Sequence, residues 1–271
     1  MAKNNNLGDF LKSLADKFRS SLGTTAKINP QNFEGKVDEV YNKGFDEGKK
    51  EEYDTFWDAF QRNGNRRNYS YAFFDGWTNA NFAPKYDIIA ELGHSSYMFS
   101  QSKISGSLKT ILNNQGVTLS FIQPSVGGKG AYSFFYLSAF SELPVIDLSM
   151  ASGNVALDGT FGNCQKLETI EKLVMPTSCT GYGTGTFDYD YKLETINFEG
   201  TIKYSLNFKH CPLSADSVNN ILNCLDTAAY NGTRTITLKT TSKTAYDEKY
   251  GDWDERIAQL TSSGNWTFTL V

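Results

Sequence analysis

Side chains able to do acid–base or nucleophilic chemistry are few and scattered in this 271-residue chain. Only two histidines occur, His94 and His210, each in a polar, turn-like setting (Gly93-His94-Ser95 and Lys209-His210-Cys211-Pro212). A catalytic triad or a histidine-based metal site would have to be built on one of them, and no neighbouring residue completes either. His210 and Cys211 are adjacent, and adjacent side chains rarely face one another, so a thiol–base pair is not expected. The four cysteines, Cys164, Cys179, Cys211 and Cys224, match no zinc or CxxC spacing and read as buried free thiols. Gly127-Gly128-Lys129-Gly130 lacks both the hydroxyl residue after lysine and the glycine spacing of a phosphate-binding loop. It reads as a connection between repeated turns. Asp188/Asp190 and Asp252/Asp254 read as solvated carboxylates. As a lesser reading, Asp188 and Asp190 with Tyr189 and Tyr191 have the types that suit a sugar or a cation. No catalytic residue, cofactor or metal site is expected.

Composition narrows the partners. With 26 Lys and Arg against 30 Asp and Glu, the formal charge of −4 argues against a nucleic-acid binder, which needs a basic surface. No apolar run approaches the ~20 residues of a membrane span. Residues 1–6 are polar and lead into an amphipathic pattern, so no secretory signal is expected. Without a secretory route, the sequons at Asn68, Asn231 and Asn265 read as chance. Fifteen Tyr, 19 Phe and 4 Trp suit a β-rich core, a recognition surface, or both.

The elements that would position any site follow from periodicity. Leu7, Phe10, Leu11, Leu14 and Phe18 form one apolar helical stripe, and Gly23 is placed to end it. Asn29-Pro30 opens a second helical stretch, in which Phe33, Val37, Val40 and Tyr41 continue a mixed three–four spacing towards residue 62. This stripe suits self-association or docking on another protein, or folding back on the rest of the chain.

Lys-Leu-Glu-Thr-Ile then occurs twice, at 166–170 and 192–196, with Phe161 and Phe187 six residues before the respective leucines. A 26-residue offset of this kind predicts a solenoid. Alternation turns Ile146, Ile170 and Ile196 inward and Asp147, Thr169, Glu171, Thr195 and Asn197 outward. Lys172 falls where the other turns carry an apolar residue, which predicts a bulge there. Ser214 is placed to cap a helix, Arg234–Lys239 reads as a strand with Thr235 and Thr237 outward, and a helix after Ser242 runs to Gly264 before a strand over 266–271. The expectation is an α+β chain. Helices occupy 1–62, an aromatic-rich connector 63–95, and a short β-solenoid 96–271, with a helix–strand cap from about 212.

The core Phe-x-x-Cys-x-x-Leu-x-x-Ile at 161–170 resembles BspA-type leucine-rich repeats of gut bacteria and their phages. The stretch YDTFWDAFQRNGNRRNYSYAF (53–73), with Trp77 and the run to Ile88, resembles a module preceding such repeats in tail-associated proteins of phages and prophages of gut Firmicutes. Residues 22–30 are similarly phage-like. Asp190 stands where the repeat carries Cys. The resemblance implies a non-enzymatic virion component: a tail fibre, baseplate or receptor-binding protein. It would assemble with itself and other virion proteins through its N-terminal helices, and bind a host surface glycan or protein. Without an export signal or wall anchor, the rival reading of a bacterial surface adhesin is weaker. The candidate partner-binding residues are Asp147, Thr169, Glu171, Thr195, Asn197, Thr235 and Thr237, together with Tyr182, Tyr189 and Tyr191. The candidate assembly residues are Leu7, Phe10, Leu11, Leu14, Phe18, Phe33, Val37, Val40 and Tyr41.

Overall fold

The computed structural model describes residues 7–26, 36, 56–61, 66–123 and 130–271, with side chains from residue 12 onward in the first helix. The chain divides into two compact units, Met1–Phe60 and Gln61–Val271. In the first, helix α1 (Leu7–Leu22) turns Ala15 and Phe18 inward and ends at Gly23, whose φ of 64° is the left-handed conformation that glycine adopts without strain. Among the described residues, no helix is long and apolar enough to cross a membrane.

The second unit is built on parallel strand pairs. Strands β2 (Ser105–Ser107), β4 (Ala139–Asp147), β6 (Thr169–Val174) and β8 (Thr195–Glu199) form a four-stranded sheet in that order. Strands β1 (Ile88–Glu91) and β3 (Leu119–Ile122) pair alone, as do β5 (Ser152–Gly153) and β7 (Ser178–Cys179). Strands β9 (Leu206–Asn207), β10 (Arg234–Leu238) and β11 (Trp266–Leu270) make a three-stranded sheet. In β8 the burial alternates cleanly, with Ile196 and Phe198 inside and Asn197 and Glu199 outside. Ile170 pairs with Ile196, and the register then shifts so that Leu173, not Lys172, pairs with Phe198. That shift is the expected bulge. It keeps the charged Lys172 out of the core, where it bonds Glu199 at 2.6 Å.

A column of phenylalanines binds the layers. Phe73, Phe99, Phe135, Phe161, Phe187 and Phe208 stack in sequence, with ring centroids 4.8, 5.6, 5.7, 5.4 and 4.8 Å apart. Offset aromatic pairs add about 0.5–1.5 kcal/mol each beyond the area they bury. The backbone follows the same period. The Phe73 N–H donates to Met98 O at 2.8 Å, Phe99 to Phe134 O at 2.7 Å, Phe135 to Thr160 O at 2.8 Å and Phe161 to Thr186 O at 3.1 Å. The phenylalanines six residues before Leu167 and Leu193 are therefore rungs of this column. Phe73, from the stretch expected to be a connector, is another.

The expected sequence of N-terminal helices, one leucine-rich-repeat β-solenoid and a helix–strand cap does not describe the architecture. The chain is α+β with parallel pairing, but its helices are distributed. Helix α2 (Leu108–Gln115) lies between β2 and β3, and α3 (Ala215–Cys224), α4 (Thr240–Lys249) and α5 (Trp253–Gly264) alternate with β9 to β11. Its strands divide among four sheets of two, three, four and two strands. The physical reason lies in the strands. Three of them are only two residues long, too short to carry a ladder further, while the register slips at Gly106/Ser107 and Ile170/Leu173 fall inside the four-stranded sheet and do not end it. The single helix expected after Ser242 is also two, broken at Tyr250 and Gly251, where Gly251 takes φ 71°.

At the C-terminal end, Ser214 caps α3 as expected, its Oγ accepting from the Ser217 N–H at 3.3 Å. Arg234, 1% exposed, is the anchor of this region. Its guanidinium reaches Asp226 Oδ2 at 3.1 Å and the carbonyls of Asp226, Ala228 and Gly264, and lies over the rings of Tyr230 and Trp266.

Candidate functional site

The residues singled out from sequence fall on two surfaces. Asp147, Thr169, Glu171, Thr195 and Asn197 lie on the outer face of the β4–β6–β8 sheet. Thr169 sits opposite Thr195. Several of them are held by the protein: Glu171 accepts from Lys109 Nζ at 2.9 Å, Asn197 Nδ2 donates to Glu171 O at 3.1 Å, and Asp147 Oδ1 accepts from the Ser149 N–H at 2.9 Å.

Thr235 and Thr237 belong to the other sheet, and here a cleft forms. Strand β10 presents Thr235 and Thr237 on one face because Ile236 and Leu238 are buried on the other. Strand β9 repeats the pattern in Ser205-Leu206-Asn207, with Leu206 inside and Asn207 paired with Thr237. The loop at 183–188 overhangs these strands. Together they enclose a cleft of about 340 Å³ lined by Gly183, Thr184, Gly185, Thr186, Asp188, Ser205, Leu206, Asn207, Thr235 and Thr237. That volume is within the usual range of small-molecule sites, about 300–1,000 Å³. Gly183 is required in the overhang. It takes φ 86°, and a Cβ there would lie 2.7 Å from the Asp158 Cβ.

Beyond Asp188 stands an aromatic group. Tyr189 (46% exposed) stacks on His210 at 4.5 Å and Tyr191 (50% exposed) meets the same imidazole edge-on at 5.2 Å. Tyr189 takes φ 64°, unusual for a residue with a side chain. Its N–H donates to His210 Nδ1 at 2.9 Å. That bond requires Nδ1 to be unprotonated, in agreement with burial and neighbouring Lys209 holding the imidazole below its usual pKa. Tyr182, grouped with these tyrosines from sequence, lies inside at 2% exposure. Its hydroxyl accepts from the Lys203 N–H at 2.9 Å, a structural role.

The chemistry-bearing side chains do not converge. Asp188 lines the cleft, but Asp190 is fully buried, against the solvated pair expected from sequence. Asp190 Oδ1 accepts from the Cys164 N–H at 2.7 Å while Oδ2 has no partner. Burial, with a smaller push from Asp188 and opposed by the Cys164 bond, raises its pKa to about 8. Cys211 Sγ points to Phe187 O at 3.6 Å, not to His210, and burial pushes its thiol well above the usual pKa. Cys164, Cys179 and Cys211 are buried free thiols, and Cys224 is a half-buried one. Among the described residues, no group of three or more His, Cys, Asp or Glu side chains is placed to hold a metal ion. What the cleft can do chemically is donate and accept hydrogen bonds.

Of the candidate assembly residues, Leu14 is half-buried and Phe18 buried on α1. Leu7, Phe10 and Leu11 lie on the same helix with side chains outside the described residues. Phe33, Val37, Val40 and Tyr41 lie outside the described residues altogether. The sequence reading missed Ser205 and Asn207, although Ser-Leu-Asn carries the same outward–inward–outward signal as Thr-Ile-Thr. Thr184 and Thr186 fall within the Tyr182–Tyr191 loop, which its glycines Gly181, Gly183 and Gly185 mark as a candidate exposed edge of the binding surface, but neither threonine is singled out by type.

The chain matches no protein-family model, no curated protein and no solved structure. The reading of its function therefore rests on the cleft and on the sequence resemblance.

Proposed function

We propose that this chain is a non-catalytic recognition protein of a phage particle, of the tail-fibre or receptor-binding kind, which binds the host surface through the cleft beside Tyr189 and Tyr191. The observation that carries the binding part is the cleft itself. It is open, lined largely by hydroxyl, amide and carboxylate residues and framed by two parallel strands, and it lies next to exposed tyrosines, which supply large contact area at low entropic cost. A carboxylate pair for acid–base catalysis is not assembled there, because Asp190 is inside the core and only Asp188 faces the cleft.

The placement on a particle is supported by the resemblance of residues 53–88 and 161–170 to tail-associated phage proteins. In this reading residues 1–62 attach the chain to other virion proteins and to copies of itself, while the second unit is displayed. Mass spectrometry of purified particles, paired with binding of labelled full-length chain to candidate host cells, tests both parts. The chain is expected in the particles and on the cells. Particles complete in their other structural proteins but lacking this chain would overturn the virion placement. A chain that binds no host cell would overturn the recognition role.

A further inference from the structure

We infer that the cleft is a binding site for a neutral saccharide, with Asp188, Asn207, Ser205 and Thr237 as its polar contacts. This rests on the recognition reading above and adds the ligand class. Hydrogen-bond capacity decides it. Thr184 and Thr186 have already given their hydroxyl protons, to Asp158 Oδ1 at 3.1 Å and to Leu157 O at 3.1 Å, so they present methyl groups and lone pairs. Thr235 is paired with Thr267 at 2.9 Å.

Four groups keep capacity facing the cleft. Ser205 Oγ accepts from the Thr235 N–H at 2.8 Å and retains its own proton. Asn207 Oδ1 accepts from the Lys209 N–H at 3.0 Å, which leaves both Nδ2 protons free. The Thr237 hydroxyl is uncommitted. Asp188 has no hydrogen-bond donor on either oxygen: Lys209 Nζ and His210 Nδ1 stop 3.8 and 4.0 Å from Oδ1, which is buried, and Oδ2 is the oxygen left to a ligand.

The cleft thus sets a strong acceptor beside an amide donor and two hydroxyls. Neighbouring sugar hydroxyls match this set, since each donates to one partner and accepts from another. A carboxylate taking a hydroxyl proton is the stronger, charge-assisted kind of bond. Charge sets the class. Among the described residues that line the cleft, Asp188 alone carries an ionisable side chain; phosphate, sulfate or carboxylate groups meet that carboxylate, and the nearby cation, Lys209, stands outside the lining and already faces Asp188 at 3.8 Å. The walls are threonine methyls, glycine backbone and Leu206, which suit the C–H faces of a pyranose ring.

The test is a panel of methyl glucoside, methyl galactoside, N-acetylglucosamine and rhamnose, with sialic acid and inorganic phosphate as anionic comparisons. Binding is followed by amide chemical shifts of the full chain, alongside its binding to host cells. At least one neutral sugar is expected to saturate shifts at the cleft residues, with both anions silent. Asp188→Asn is expected to weaken that sugar about tenfold or more, and Thr237→Val to weaken it less. Asp188 is half-exposed, and Thr237→Val provides an independent variant should Asp188→Asn perturb folding. Binding of the anions in preference to neutral sugars, or sugar binding untouched by both substitutions, would overturn the inference. Cell binding with no sugar response overturns the saccharide inference and leaves the recognition role standing. Loss of both removes both.

Discussion

Asp190 stands where the neighbouring rungs carry a small residue: Ser138 after Phe135, Cys164 after Phe161 and Cys211 after Phe208. Replacing it by Cys restores the pattern. The magnitude follows from linkage. Its folded pKa of about 8, against 3.8 for the exposed group, means the folded chain binds a proton that the unfolded chain releases between those values. Stability from this group is therefore fully present below pH ~4 and is lost as pH rises towards ~8. The slope is at most about 1.4 kcal/mol per pH unit, and the ceiling at pH 7 is about 4 kcal/mol. Relaxation of the site reduces that ceiling. The substitution also removes the bond to the Cys164 N–H, worth about 1 kcal/mol, although Ser138 and Cys211 show that this N–H can turn to the carbonyl three residues back. Asp190→Cys is expected to stabilise by about 1–3 kcal/mol near neutral pH, with the gain growing between about pH 5 and about pH 8. Urea unfolding of both proteins at several pH values reads this directly. A variant less stable than the wild type at about pH 8, or one with the same pH slope, would refute the reasoning.

Three further substitutions probe the frame by the same unfolding assay. Arg234→Met removes a buried guanidinium that Asp226 and three carbonyls surround, and should cost about 3–5 kcal/mol by leaving those groups unpaired; a cost under about 1 kcal/mol would show that the clamp is not structural. Phe161→Ala opens the middle of the ring column and should cost about 3–5 kcal/mol, whereas Phe161→Leu should cost distinctly less. Gly162→Ala sets a Cβ 2.5 Å from Gly185 O; it should destabilise by about 1–3 kcal/mol and disturb the 183–188 overhang, seen as altered amide shifts at Asp188.

Parts of this structure are written in local pattern. The Thr-x-Thr alternation of β10 placed Thr235 and Thr237 outward because a strand has period two, and Ser214 announced its helix by type and position. The bulge at Lys172 was legible because a charged residue cannot occupy a core position cheaply. Other parts are not local. The 36-residue interval between Phe99 and Phe135 breaks the 26-residue spacing, so Phe73 looks like a connector residue and Phe99 carries no repeat signal, although both stack in the same column. Asp190 was misread because aspartate is rarely buried. Only the layer beneath, with the Cys164 N–H pointing at it, explains its place. The division into four sheets goes with strands only two residues long, which repetition in sequence does not reveal. The cleft arises where the 183–188 loop overhangs strands that follow 20 to 50 residues later, and no window of sequence contains both.

The central claim is that the second unit recognises the host surface through this cleft. The most direct test obstructs it: Thr237→Trp puts a bulky ring into the 340 Å³ space from the outward face of β10, opposite the buried Ile236 and Leu238. With folding verified by near-ultraviolet circular dichroism, labelled variant and wild-type chains are titrated onto host cells. The account predicts a fall in cell binding of about tenfold or more. Undiminished binding by the folded variant would contradict it.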